Sequence, residues 1–106
     1  MKNYLLLGLG GMGSSHLKSF NLIKEKCKIY VYDKFCPIKK LTKKIKLIDL
    51  NTNIELFILF NPPINKKIYL IIDSTYSDQR LKNILSIIKK NKVNFILLEK
   101  FIFSKK

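Results

Sequence analysis

Apolar positions along this chain fall in short continuous runs separated by stretches of helical period, the alternation expected of a parallel α/β fold. Tyr4 to Gly8 reads as a first strand buried on both faces. A helix follows from near Gly11 or Met12 to about Lys24, turning Met12, Leu17, Phe20 and Ile23 toward a sheet and Lys18, Lys24 and Lys26 outward. Lys28 to Tyr32 is β-branched and aromatic enough for a second strand, ending at Asp33.

The middle of the chain is harder to divide. Pro37 opens a lysine-rich segment that fits a short helix over about 38–44, and 46–50 resembles a third strand. Ile54 to Phe60 fits either a helix or a strand, because a short apolar run does not decide between them, and Pro62-Pro63 ends it. The apolar Leu56-Phe57-Ile58-Leu59-Phe60 is expected to be covered. Clarity returns with a strand over Lys67 to Asp73 and the polar turn Ser74-Thr75-Tyr76-Ser77. A helix from about Asp78 to Lys90 places Leu81, Ile84, Leu85 and Ile88 on one apolar face, and Val93 to Leu98 is a fifth strand. The predicted architecture is α/β: a single-domain, doubly wound parallel sheet, Rossmann-like.

On this framework Gly8-Leu9-Gly10-Gly11-Met12-Gly13 becomes chemically meaningful. In G-x-G-x-x-G the first glycine permits a tight turn out of a strand. The second lets the backbone approach a pyrophosphate, and the third lets helix and strand pack closely. The helix start adds unpaired N–H groups and a partial positive charge. Asp33 follows Gly13 by 20 residues, the distance at which such folds place an acid against a dinucleotide's ribose hydroxyls. A carboxylate there repels a 2′-phosphate and so favours NAD, with NADP the alternative and Lys34 a softening influence. The Gly8–Gly13 loop, Asp33, Ser74, Thr75, Glu99 and Lys100 all fall at carboxyl ends of strands, on one rim.

Composition changes this picture little. A chain of 106 residues with 47% apolar content builds one core. No apolar run approaches a membrane span, and the short run at the start is not a signal peptide; the expected compartment is the cytoplasm. Cys27 and Cys36 have neither disulfide-framework nor metal-site spacing and read as reduced packing residues. His16 reads as a helix-packing residue rather than a catalytic one. The formal net charge of +14 raises the question of nucleic acid. It is carried by lysine, with Arg80 as the one arginine, and lysine lacks the planar fork that favours base and phosphate recognition. Nucleic acid is therefore the less favoured partner; a drifted, lysine-rich surface is the simpler account.

Taken together, Gly-Leu-Gly-Gly-Met-Gly-Ser-Ser-His-Leu, Asp33, Ser74-Thr75 and Leu97-Leu98-Glu99-Lys100 resemble the N-terminal domain of the Gfo/Idh/MocA oxidoreductases. The resemblance implies an NAD(P)-binding domain acting with a second domain that binds a sugar, cyclitol or sugar nucleotide. By that resemblance Gly8, Gly10, Gly11, Met12 and Gly13 would hold the pyrophosphate and Asp33 the ribose. Ser74, Thr75 and Glu99 would lie along the nicotinamide half, and Lys100 would assist proton transfer. Phe101 stands where the family has proline, and the family's usual Thr-Pro after the fourth strand reads Thr75-Tyr76. The 106 residues end where the second domain would begin, so a substrate pocket is expected from further sequence or a partner chain. No metal is expected.

Overall fold

The computed structural model describes residues 1–9, 11–34, 36–74 and 80–98, with residues 11–14 as backbone only. Five strands form one parallel sheet: β1 (Lys2–Leu7), β2 (Cys27–Tyr32), β3 (Ile54–Ile58), β4 (Lys67–Asp73) and β5 (Lys92–Leu98). Their spatial order is β3-β2-β1-β4-β5, so the chain winds one way from β1, crosses back, and winds the other way from β4. That reversal makes the gap between the carboxyl ends of β1 and β4 the topological switch point.

Helices α1 (Gly11–Ser19) and α2 (Ile38–Lys46) cover one face of the sheet, and α3 (Arg80–Lys90) covers the other. The two faces split the core cleanly. Tyr4, Leu6, Leu17, Ile29 and Leu41 pack beneath α1 and α2, while Leu5, Leu7, Ile71, Ile84 and Ile87 pack beneath α3. Alternation along β1 feeds both layers, which explains why its sequence is an unbroken apolar run. The helix α1 tightens into a 3-10 turn at Phe20–Leu22 before β2, and Phe20 packs edge-to-face on Tyr4 at 4.8 Å. The α-helix stops at Ser19, short of the expected Lys24, and the inward positions are held by Leu17 of α1, Phe20 of the 3-10 turn and the half-buried Ile23 in extended backbone beyond it; the side chain of Met12 lies outside the described residues.

Three further expectations change. The third strand is Ile54–Ile58, not residues 46–50. Helix α2 runs through Lys46, and Leu47, 86% exposed, caps it; only Ile48 of the presumed strand is buried. A parallel strand in that place would have to bury Leu47 as well. The apolar segment 56–60 is only partly covered: Phe57 stacks on Tyr30 at 5.3 Å, while Phe60 stays largely exposed. The buried stripe of α3 is Ile84 and Ile87, with Ile88 half-buried, whereas Leu81 and Leu85 are 64% and 50% exposed. One helix covers that face, and its flank toward β5 has no neighbouring element above it among the described residues. The start of α3 expected at Asp78 lies outside the described residues.

Asparagine side chains fasten the connections. Asn91 accepts from the Lys66 amide at 2.9 Å and donates to the carbonyls of Pro63 (2.9 Å) and Ile87 (2.8 Å). It thus ties the β3–β4 crossover to the end of α3. Asn53 donates to the Ile23 and Glu25 carbonyls at the entry to β2. Asn51 donates twice to Asn21, from its amide to Oδ1 and from Nδ2 to the carbonyl, both at 2.8 Å.

Candidate functional site

The rim at the carboxyl ends of β1, β2 and β4 is built from backbone geometry. All four glycines of the chain lie within residues 8–13. Gly8 leaves β1 with φ 85°, a left-handed conformation that a Cβ would penalise. Its amide donates to the Tyr32 carbonyl at 2.9 Å, which carries the β1–β2 pairing one step past the strand. Leu9 then drops its side chain fully into the core beneath α1 and α2. Helix α1 begins two residues later with no acidic residue in its first turn, so no carboxylate of the helix itself competes for its positive end.

Asp33 stands where the spacing argument put it. Its Oδ2 accepts a hydrogen bond from the Leu9 amide at 3.0 Å, which brings the end of β2 against the glycine-rich turn. The acceptor is a carboxylate oxygen, which makes this a stronger bond than one between neutral groups. The other side of the same residue is held by α2: the Lys44 ammonium donates to the Leu9 carbonyl at 3.2 Å. Leu9 is therefore fixed at its amide, its carbonyl and its side chain. The loop that would meet a pyrophosphate hangs from a rigid point, and it has an ammonium within a few ångströms of its backbone.

Ser74 closes the rim from β4. It is buried; its amide donates to the Leu7 carbonyl at 3.0 Å, and its hydroxyl points at the carbonyls of Leu7 (3.3 Å) and Gly8 (3.5 Å). The residue supports the first glycine from below. Gly8, Asp33 and Ser74 are thus brought together within one hydrogen-bonded assembly. Gly11 and Met12–Gly13 form the first turn of α1. Gly10, Thr75, Glu99 and Lys100 lie outside the described residues, although β5 delivers its last described residue, Leu98, to the same rim in register with Asp73.

Besides Lys44, two rim residues were not singled out by sequence reasoning. Asp73, 1% exposed, ends β4, and Arg80 reaches back from the first turn of α3 with Nε 3.4 Å from its Oδ2. The same guanidinium donates to the Asp73 carbonyl at 2.7 Å. The available signal was an acid closing an apolar strand seven residues before the one arginine of the chain. The pair staples the β4–α3 connection and brings α3 onto the rim. Beneath it, on the α3 face, lies a recess of ≈ 130 Å³ bounded by Leu7, Tyr32, Lys34, Asp73 and Asn83.

The remaining charge collects elsewhere. Lys66, Lys67, Lys89, Lys90 and Lys92 surround an open concavity at the amino ends of β4 and β5, the end of the sheet opposite the rim. His16 is half-buried on α1. Cys27 is buried in the core and Cys36 half-buried, both as thiols. Among the described residues no group of His, Cys, Asp and Glu is arranged to hold a metal ion, and no helix is long and apolar enough to cross a membrane.

Comparison with protein-family models, with curated proteins and with solved structures gives no match. The functional reading therefore rests on this chain's own rim.

Proposed function

We propose that the chain is a nicotinamide-dinucleotide-binding domain, the cofactor half of an oxidoreductase resembling the Gfo/Idh/MocA type. The observation that carries the reading is the Asp33–Leu9 contact: an acid at the end of β2 bonded to the turn between β1 and a helix amino terminus. A pyrophosphate fits the start of α1, where amide donors and the helix dipole favour an anion. The adenosine ribose fits Asp33, and the carboxylate favours NAD over NADP. When bound, the nicotinamide supplies hydride acceptance or donation.

The chain's own part is to hold that ring at the β1–β4 switch point and, through Lys100, to handle the proton of a sugar-like hydroxyl. The substrate pocket comes from a C-terminal domain or a partner chain. NADH fluorescence enhancement on mixing, lost in Gly10→Asp, tests the cofactor reading. Turnover of sugar or cyclitol substrates after addition of a C-terminal domain distinguishes the enzyme from a stand-alone, non-catalytic binding module.

One observation favours a different class. The lysines around the opposite end of the sheet make a cationic surface suited to a polyanion. Salt-sensitive retention on nucleic acid, indifferent to NADH, is what that reading requires.

A further inference from the structure

The sheet has two edges, and the chain treats them differently. Strand β3 carries the exposed Glu55, and Pro62-Pro63 follows it, both common guards against edge pairing. Strand β5 has no charge after Lys92, and Phe95, Ile96, Leu97 and Leu98 are 56, 40, 45 and 47% exposed. Side chains on both faces of this edge strand therefore meet solvent. The Lys92 amide donates to the Lys66 carbonyl at 2.9 Å. By alternation the amides and carbonyls of Asn94, Ile96 and Leu98 also turn toward β4, and those of Val93, Phe95 and Leu97 turn to the free edge.

Helix α3 extends this surface. Asn83, Ser86 and Ile87 line the recess on its β2 side, so Leu81 and Leu85, about half a turn away around the helix, lie on the flank over β5.

We infer that β5 is a dimerisation edge: two copies of this chain pair their β5 strands antiparallel about a twofold axis at Phe95, joining two five-stranded sheets into one. The register follows from the outward groups. With Phe95 opposite its own copy, Val93 faces Leu97 and all three outward residues exchange N–H···O bonds with the second strand. The contact is isologous and closes on itself. Antiparallel pairing also handles the charge. Each Lys92 lies opposite Leu98, and the two Lys92 side chains are separated by about 20 Å along the ribbon, well beyond the Debye length of about 8 Å at physiological salt. Six half-exposed apolar side chains per copy supply on the order of 1,000 Å² of buried surface for the pair, the lower range of a specific interface. This inference stands apart from dinucleotide binding.

Sedimentation equilibrium of the full chain from low to high micromolar concentration, at low and high salt, tests it together with amide hydrogen exchange. Expected is a monomer–dimer equilibrium that tightens with salt, as repulsion between two strongly basic copies is screened. Exchange at Val93, Phe95 and Leu97 should slow as concentration rises. Phe95→Lys should be monomeric throughout. Phe95→Pro, whose lost amide faces the open edge and so spares the pairing with β4, should also be monomeric, with unchanged circular dichroism. A wild-type chain that stays monomeric at the highest concentration overturns the inference, as does a dimer that survives both substitutions. Protection of the three amides at every concentration also overturns it, because the edge would then be covered from within the chain.

Discussion

The Asp33 carboxylate accepts the Leu9 amide at 3.0 Å across 24 residues of sequence, so the candidate ribose acid and the glycine-rich turn form one unit. Asp33→Ala removes both the proposed ribose partner and the turn's anchor. NADH affinity should fall at least about 10-fold, the effect of losing a charge-assisted hydrogen bond or two. Asp33→Asn keeps an acceptor for Leu9 but not the charge, so its loss should be smaller and its preference for NADH over NADPH narrower. Equilibrium titration with both cofactors checks this.

Lys44 grips the opposite side of the same residue, at the Leu9 carbonyl. Lys44→Met should weaken NADH binding roughly 3–10-fold, corresponding to about 1 kcal/mol, with little change in melting temperature. Because the lost group is a cation near the phosphate turn, the salt dependence of binding should also flatten. Lys44→Arg should recover most of the affinity.

Asp73 is almost wholly buried and pairs with Arg80, Nε to Oδ2 at 3.4 Å. Arg80→Met removes this ion pair and the bond to the Asp73 carbonyl and should destabilise the fold by about 3–5 kcal/mol. The double change to Asp73→Leu with Arg80→Met should recover part of that loss, since an apolar pair needs no compensation. Urea unfolding of the three chains measures the difference.

Alkaline stability follows from two buried groups. Burial raises the Cys27 thiol above its ordinary 9.0, and burial raises the Tyr4 phenol above 10.0, partly countered by Lys2. The folded chain keeps both protons at pH values where the unfolded chain releases them. Their contribution is therefore complete below about pH 9 and is lost as pH rises through the elevated folded values. Stability should decline from about pH 9 upward, and Cys27→Ala should flatten the first part of that decline in thermal melts.

Much of the fold was legible because its strands are uninterrupted apolar runs: β1, β2 and β4 are buried on both faces and sit where their patterns put them. The error at residues 46–50 has a local cause. Leu47-Ile48-Asp49-Leu50 looks like a strand in composition, yet Leu47 serves as an exposed helix cap and Ile48 alone goes inside. The stripe of α3 was misassigned because periodicity gives the apolar arc of a helix but not how far the sheet extends beneath it; Leu81 and Leu85 hang over an edge that no element covers among the described residues.

At the rim, Asp33 could be found by spacing alone. Lys44 could not, since its partner is a backbone carbonyl 35 residues away. Nor does the sequence pattern mark Asn51, Asn53 and Asn91, each of which closes a connection between elements. Asn91→Ala should cost about 1–3 kcal/mol for that reason.

Titration of the full chain with NADH, followed by nicotinamide fluorescence, tests the central claim most directly. Saturable enhancement that is abolished in Gly10→Asp and weakened at least about 10-fold in Asp33→Ala is the predicted result. A folded chain that gives no enhancement at millimolar NADH, or binds it equally well in Gly10→Asp, would contradict the assignment of the rim.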